Sequence, residues 1–297
     1  MAPCLSAETN QQRAIYSQVV NNWRVNSIQM AVTKEQKKLF TEQVKSYKGF
    51  LDDIKKEIST LKAVSKKNAR LAPYVEIRIA LLGLQRASTL ILMSRLSMNI
   101  VNVKNETYLN DARKEISANF SNLEKILGSS VLEGTLTENK EVLKQIARVT
   151  PAQRLQLLKG FRNTILDLKG VMGDNSKWRW YFPDLHLKTS VLAKNLFDFS
   201  EYEKKSRKPD AEDHRTWLDL FAFLTEELHA TAQEYRSRYE LSTNDVNDLQ
   251  TIQRIMEFSK KVYMLSGNKN ELNKVNTSLD AITQKIELVS AEKKKKK

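Results

Sequence analysis

Apolar residues recur at helical spacing along most of the chain, and the pattern is most regular near its two ends. From Phe40 to Leu61 they follow alternating steps of four and three residues. A sustained period of 3.5 residues keeps one seam of a helix facing a partner, as in a coiled coil or a long antiparallel hairpin. The same spacing returns between Leu272 and Val289. The pattern therefore predicts a long coiled-coil-like helix at each end of the chain.

The stretch from Pro73 to Val103 is the most apolar run and predicts a central helix. About thirty helical residues would reach roughly 45 Å, which is enough to cross a bilayer. Charged residues interrupt the run, and each charge at a helix centre costs about 3 kcal/mol to insert. We therefore expect no transmembrane segment. Arg78, Gln85 and Thr89 share one narrow polar stripe, which is typical of a helix at the centre of a bundle.

Composition supports an all-α fold, because 8 Gly and 5 Pro in 297 residues are too few for the turns of a β-rich protein. Capping boxes at Thr33 to Gln36 and at Thr150 to Gln153 mark two helix starts. The sequence predicts an elongated bundle of about 8–10 helices.

The loop from Gly128 to Thr137 is the clearest candidate boundary within that bundle. It would separate an N-terminal helical region, residues 1–128, from a C-terminal helical region, residues 137–292. The first region holds the long heptad helix and the apolar central helix. Residues 293–297 form a basic tail.

Catalytic chemistry has few candidates in this sequence. It has three His and one Cys, and it has no glycine-rich phosphate loop, Cys-x-x-Cys or nucleophile-elbow motif. Glu226 and His229 have the Glu-x-x-His spacing of di-iron bundles, but that site needs a second such motif. We interpret the pair as surface residues. The sequence predicts a protein that is not an enzyme, with no cofactor, no metal site and no evident small-molecule substrate.

Basic residues exceed acidic ones by 14, which predicts attraction to a polyanion. The surplus is concentrated in two places: residues 34–70, with eleven basic and five acidic residues, and the C-terminal tail. Candidate polyanion contacts are Lys66, Lys67, Arg70, Lys293, Lys294, Lys295, Lys296 and Lys297. Lysines act as point charges, so such binding would be blind to sequence and sensitive to salt. The alternative is a set of solvated, solubilising lysines.

The densest aromatic cluster is the candidate partner-binding set Trp178, Arg179, Trp180, Tyr181 and Phe182. Three interpretations are open. The rings could stack on unpaired bases, close the bundle as a hydrophobic plug, or anchor a protein interface. Exposure of two or more rings to solvent would favour the interface.

Cys4 is the only cysteine, so no intrachain disulfide can form. Its position near the N-terminus allows the hypothesis that Cys4 is the lipidation site of a bacterial lipoprotein whose signal has been removed. Pro3 is not the usual small residue before such a cysteine, and no apolar signal segment precedes it. The sequence predicts no single compartment: without a signal peptide the protein would be cytoplasmic, or periplasmic if a signal was removed before Cys4.

These features support a non-enzymatic structural or assembly protein that acts through protein–protein contacts or self-assembly. It would serve as a helical scaffold or as a filament or envelope accessory protein. The alternative hypothesis is a nucleoprotein-like protein that binds nucleic acid without sequence specificity. A third is peripheral attachment to an anionic membrane through the lysine tail.

Overall fold

A computed structural model describes residues 32–128, 131–132 and 134–295. Within these ranges the chain forms ten α-helices and no β-strand. The helices are α1 (Lys34–Lys67), α2 (Ala72–Val101), α3 (Glu106–Leu127), α4 (Lys140–Gln145), α5 (Pro151–Met172), α6 (Phe182–Leu196), α7 (Phe199–Lys205), α8 (His214–Arg238), α9 (Val246–Ser266) and α10 (Lys269–Lys295). The predicted all-α, multi-helix bundle is confirmed.

Helix α2 lies at the centre of the N-terminal half, with α1, α3 and α5 packed around it. Pro73 stands in its first turn, where its missing N–H costs no helical hydrogen bond. Asn102 ends it in a left-handed conformation, with φ of 51°. The segment Ala69–Val101 is long and apolar enough to cross a membrane, but 67% of its most apolar window is buried inside the bundle. Our expectation that it does not span one stays a prediction.

The heptad seam of α1 is directed into the molecule. Val44 and Ile54 are buried, and Phe40, Tyr47 and Leu51 pack against the hydrophobic core. The extensive helix contact of α1 is with α2, so the two form a long hairpin and the seam is filled within the chain. Its predicted capping box is present, since the Gln36 amide donates to Thr33 Oγ1 at 3.1 Å and the Thr33 amide donates to Gln36 Oε1 at 2.9 Å.

Helix α10 repeats this arrangement at the other end of the chain. It packs on α9, with Val275 and Ile282 buried from its predicted heptad. The opposite face of the helix lies in solvent, including Leu288. The seams that the sequence predicted for partners are therefore occupied by neighbouring helices.

The loop between α3 and α4 was predicted as a boundary between regions. Helices on its two sides contact each other, because α2 and α3 both pack against α5. Phe120 of α3 and Phe161 of α5 lie with their ring centroids 4.4 Å apart in one hydrophobic cluster. The division into residues 1–128 and 137–292 stays a prediction.

Candidate functional site

The aromatic loop Trp178 to Phe182 packs onto the bundle. Phe182 is fully buried, and Trp178 and Tyr181 are half-buried against the core. The guanidinium carbon of Arg113, from α3, lies 3.9 Å from the centroid of the Trp178 ring. Tyr181 meets Trp178 edge to face and shares a 2.5 Å hydrogen bond with Ser117 of α3. The stacking on Arg113 and the hydrogen bond to Ser117 therefore hold the loop against α3.

A second set of contacts holds the loop to the C-terminal helices. Arg238 of α8 donates to the Trp180 carbonyl at 3.3 Å, to Asp184 at 2.9 Å and to Asp248 at 2.6 Å. Burial tends to lower the pKa of Arg238, but its bonds to Asp248 and Asp184 raise that pKa above its ordinary value. Burial, together with the charge of Asp184, also raises the pKa of the Tyr235 hydroxyl, which donates to the same carboxylate at 2.8 Å.

None of the four rings in this loop is fully exposed, since Trp180 is also half-buried. Exposure of two rings would have favoured a protein interface, and the observed burial favours the plug instead. Arg179 stacks on the neighbouring Trp180, with its guanidinium carbon 4.5 Å from the ring centroid.

The candidate polyanion contacts fall into two groups. Lys66 and Lys67 end α1, Arg70 lies in the short 3₁₀ turn Ala69–Leu71, and all three are exposed. Lys293, Lys294 and Lys295 belong to the last turn of α10. Lys296 and Lys297 lie outside the described residues, and so does the candidate lipidation site Cys4.

A more open site lies between α1, α2 and α5, which we call the α2 groove. Its volume is about 670 Å³, and it is lined by Phe50, Arg78, Leu81, Leu84, Gln85, Ser88, Thr89, Leu92, Gln156, Gly160, Asn163 and Thr164. Gly160 forms part of the floor, because a Cβ atom there would lie 3.1 Å from Leu84 Cδ1. The missing side chain thus permits close approach of α5 to α2.

Hydroxyl groups complete the floor of the α2 groove. The hydroxyls of Ser88 and Thr164 lie 3.3 Å apart, and Thr164 donates to the Gly160 carbonyl at 2.8 Å. Thr89 donates to the Gln85 carbonyl at 2.8 Å. Because these groups bond to one another and to backbone, the floor presents mainly aliphatic surface.

The walls of the α2 groove expose apolar side chains. Phe50 is 48% exposed and Leu92 is 45% exposed, while the rim carries the neutral amides of Gln85, Gln156 and Asn163. Ion pairs bridge the neighbouring helices near it: Arg78 bonds Glu57 of α1 at 2.8 Å, and Arg95 bonds Asp167 of α5 at 3.1 Å. The site is therefore apolar inside, with paired charges at its ends.

The polar stripe predicted for α2 is only partly correct. Arg78 and Gln85 do face solvent, but Thr89 is 5% exposed and its hydroxyl serves the backbone. The exposed stripe continues through Leu92 instead. The groove could not be recognised from the sequence, because Leu92 lies in an apolar helix and has the pattern of a core residue. The one available signal was Gly160, since a glycine inside a helix costs about 1 kcal/mol relative to Ala and suggests a packing reason.

The residues singled out for metal chemistry are Glu226 and His229 on α8. Glu226 pairs with Arg162 at 3.0 Å, and His229 is exposed on the same helix. Over residues 32–128, 131–132 and 134–295, no group of three His, Cys, Asp or Glu side chains is placed to hold a metal ion.

Sequence analysis also missed a buried polar pair between α6 and α8. His186 Nδ1 lies 2.8 Å from Glu227 Oε1, and both side chains are almost fully buried. One turn further along, the hydroxyls of Ser190 and Thr231 lie 2.8 Å apart. These bonds constrain how α6 lies on α8, because separating the two helices would leave further buried polar atoms without partners.

The model of one protein family, the TP0443 family, matches residues 36–290. The chain belongs to the TP0443 family. No curated protein matches the sequence. The part shared with the TP0443 family includes the α2 groove, the aromatic loop and Arg70, and it leaves Cys4 and the five terminal lysines outside.

Proposed function

We propose that this TP0443 family protein is a non-enzymatic assembly protein that binds a helix of a protein partner in the α2 groove. The observation that carries the proposal is the open groove of about 670 Å³, in which Phe50 and Leu92 remain about half exposed. Exposed apolar residues are ordinary when scattered singly, but side chains gathered in one concave site are typical of helix recognition.

The length and lining of the groove indicate what kind of helix it could hold. Arg78 and Leu92 lie fourteen residues apart on α2, which corresponds to about 21 Å of helix, or roughly four turns. The apolar walls favour a helix with one apolar stripe. The amide rim favours uncharged polar residues beside that stripe, because a charge buried there would lack a partner.

A paired substitution tests the proposal. Leu81→Glu with Leu92→Glu places two carboxylates in the groove, and we expect partner binding to fall at least tenfold. Leu241→Glu with Leu288→Glu is the matched control, since both leucines are highly exposed elsewhere on the molecule. The measurement is quantitative affinity purification from the native cells, followed by titration of the recovered partner.

Support requires a partner that is lost with the groove variant and retained with the control. It also requires that a peptide of the partner with an apolar stripe bind the purified protein. Equal recovery with both variants contradicts the proposal, and so does a monomeric protein that recovers no partner.

A second candidate function, nucleic-acid binding without sequence specificity, rests on the lysines of α1. Lys45, Lys48 and Lys55 are exposed, and no salt bridge joins them to a described residue. Titration with single-stranded nucleic acid over a salt series tests it, because neutralised phosphates make affinity fall steeply with salt. Absence of binding at low salt would remove this alternative.

A further inference from the structure

The corner between α1 and α2 meets the segment around the end of α4, and both stretches of sequence lack acidic residues. Residues 58–75 contain no Asp or Glu, and residues 142–166 contain none either. The two stretches line one cleft of about 530 Å³, which we call the corner cleft. Its lining residues are Asn68, Ala69, Arg70, Leu71, Pro73, Tyr74, Gln145 and Arg148.

The two charged residues that line this cleft are both cations. Arg70 and Arg148 line it, Lys66 and Lys67 precede it at the end of α1, and all four are exposed. None of them forms a salt bridge with a residue that the structure describes. Among the described residues, no ion pair therefore neutralises these four charges.

The acidic residues that flank these stretches are already engaged. Glu57 is paired with Arg78, and Glu141 is paired with Lys144 at 2.6 Å. Glu76, which follows the first stretch, is half-buried. Their charges therefore do little to cancel the positive potential of the corner cleft.

Local hydrogen bonds fix the backbone of the cleft. The Asn68 side chain accepts from the Arg70 amide at 3.1 Å, which caps the 3₁₀ turn. The Tyr74 hydroxyl accepts from the Arg148 amide at 3.4 Å, which joins the two stretches. Both arginines are thus held on one ordered surface, and their planar guanidinium groups match phosphate oxygens.

Apolar side chains project beside these cations. Leu71 is 38% exposed in the cleft itself, and Val64 is 41% exposed on the last turns of α1. Basic residues around exposed leucine or valine are typical of surfaces that attach to a bilayer interface, where charge meets the headgroups and the apolar side chain enters below them. Tyr74, the aromatic residue of the cleft, is half-buried with its hydroxyl engaged, so it offers little surface for stacking on a base.

We propose that the corner cleft attaches the protein to an anionic phospholipid surface. Arg70 and Arg148 bind lipid phosphates, Lys66 and Lys67 add attraction, and Leu71 enters the interfacial region. This inference does not depend on the function proposed for the α2 groove, because different residues line the two sites.

Vesicle flotation of the full chain tests the proposal. The probes are vesicles of phosphatidylcholine alone and vesicles of phosphatidylcholine with phosphatidylglycerol. We expect binding to the anionic vesicles only, and a loss of about 30-fold for Arg70→Gln with Arg148→Gln, since each basic residue near such a surface contributes about 1 kcal/mol. Leu71→Ser should weaken binding about tenfold while leaving the net charge unchanged.

The matched control is Lys45→Gln with Lys48→Gln, which removes the same charge from α1. Lys48 lies about 27 Å along the helix from Lys66, well beyond the screening length of about 8 Å at physiological salt. This control should change binding less than threefold. Thermal melts check that each variant folds, and the single substitutions replace any double variant that does not.

Three results would overturn the proposal. One is no flotation with anionic vesicles at low salt, and another is an equal loss for the control variant. The third is unchanged binding of Leu71→Ser together with tighter binding to single-stranded RNA than to vesicles, which would identify nucleic acid as the occupant.

Discussion

The side chains of the aromatic loop are mostly buried, whereas the α2 groove exposes apolar side chains to solvent. Their sequences suggest the reverse. The loop gathers two Trp, one Tyr and one Phe within five residues, yet Arg113 and Arg238 hold it against the bundle. The groove is drawn from three separate helices, yet it leaves Phe50 and Leu92 about half exposed. Residue type alone therefore does not distinguish a binding surface from a structural plug.

The difference arises from what packs beside each region. A guanidinium over an aromatic face contributes about 0.5–2 kcal/mol, and charged hydrogen bonds add to it, so the loop has strong partners within the chain. Within residues 32–128, 131–132 and 134–295, no helix covers the walls of the groove, since Phe50 and Leu92 stay about half exposed. We therefore expect the loop to stabilise the fold, and we propose the groove as the site of recognition.

The largest expected effect concerns the network beneath the loop. Arg238→Met should lower the free energy of unfolding by about 3 kcal/mol, because it leaves the nearly buried Asp248 carboxylate without its cation. Urea denaturation followed by circular dichroism measures the change. Arg236→Met, two residues earlier on the same helix, is the matched control and should cost less than about 1 kcal/mol. Similar values for the two variants would contradict a structural role for the network.

The second prediction concerns the loop itself. Trp178→Ala should destabilise the fold by about 2 kcal/mol, because it removes a half-buried ring and its stacking with Arg113. Partner binding by the folded fraction should remain unchanged. Trp180→Ala, whose ring stacks on the neighbouring Arg179, should cost less in the same denaturation experiment. If Trp178→Ala leaves stability intact and abolishes partner binding, the assignment of the loop is wrong.

The smallest expected effect on stability is in the groove. Leu92→Glu should change the free energy of unfolding by no more than about 0.5 kcal/mol, because the side chain is 45% exposed. The same substitution should weaken partner binding more than any loop variant does. Differential scanning calorimetry and binding titration on one preparation give both quantities, and a large loss of stability would show that Leu92 belongs to the core.

The helices could be predicted from local sequence because their signals lie within a few residues. The capping boxes at Thr33 and Thr150 and the heptad of α1 are examples, and each is present in the structure. The groove could not be predicted, because Leu92 and Gly160 are 68 residues apart and meet only when α5 packs on α2.

The burial of the aromatic loop could not be predicted either, because it also depends on residues that are distant in sequence. Its aromatic composition is evident from the sequence, but its partners Arg113 and Arg238 lie more than fifty residues away along the chain, one on each side. Periodicity places Thr89 on the polar stripe because its hydroxyl counts as polar. In the helix, that hydroxyl donates to the Gln85 carbonyl one turn earlier, so the side chain can be buried.

Site-specific photo-crosslinking in the native cells tests the central claim most directly. A benzophenone amino acid replaces Leu92 in the groove, Trp180 in the loop or Leu288 on α10. We predict a single crosslinked protein at position 92, with attachment points three and four residues apart on one helix of that protein, and only background at positions 180 and 288. Crosslinking at position 180 that equals or exceeds crosslinking at position 92 would contradict the assignment of recognition to the groove.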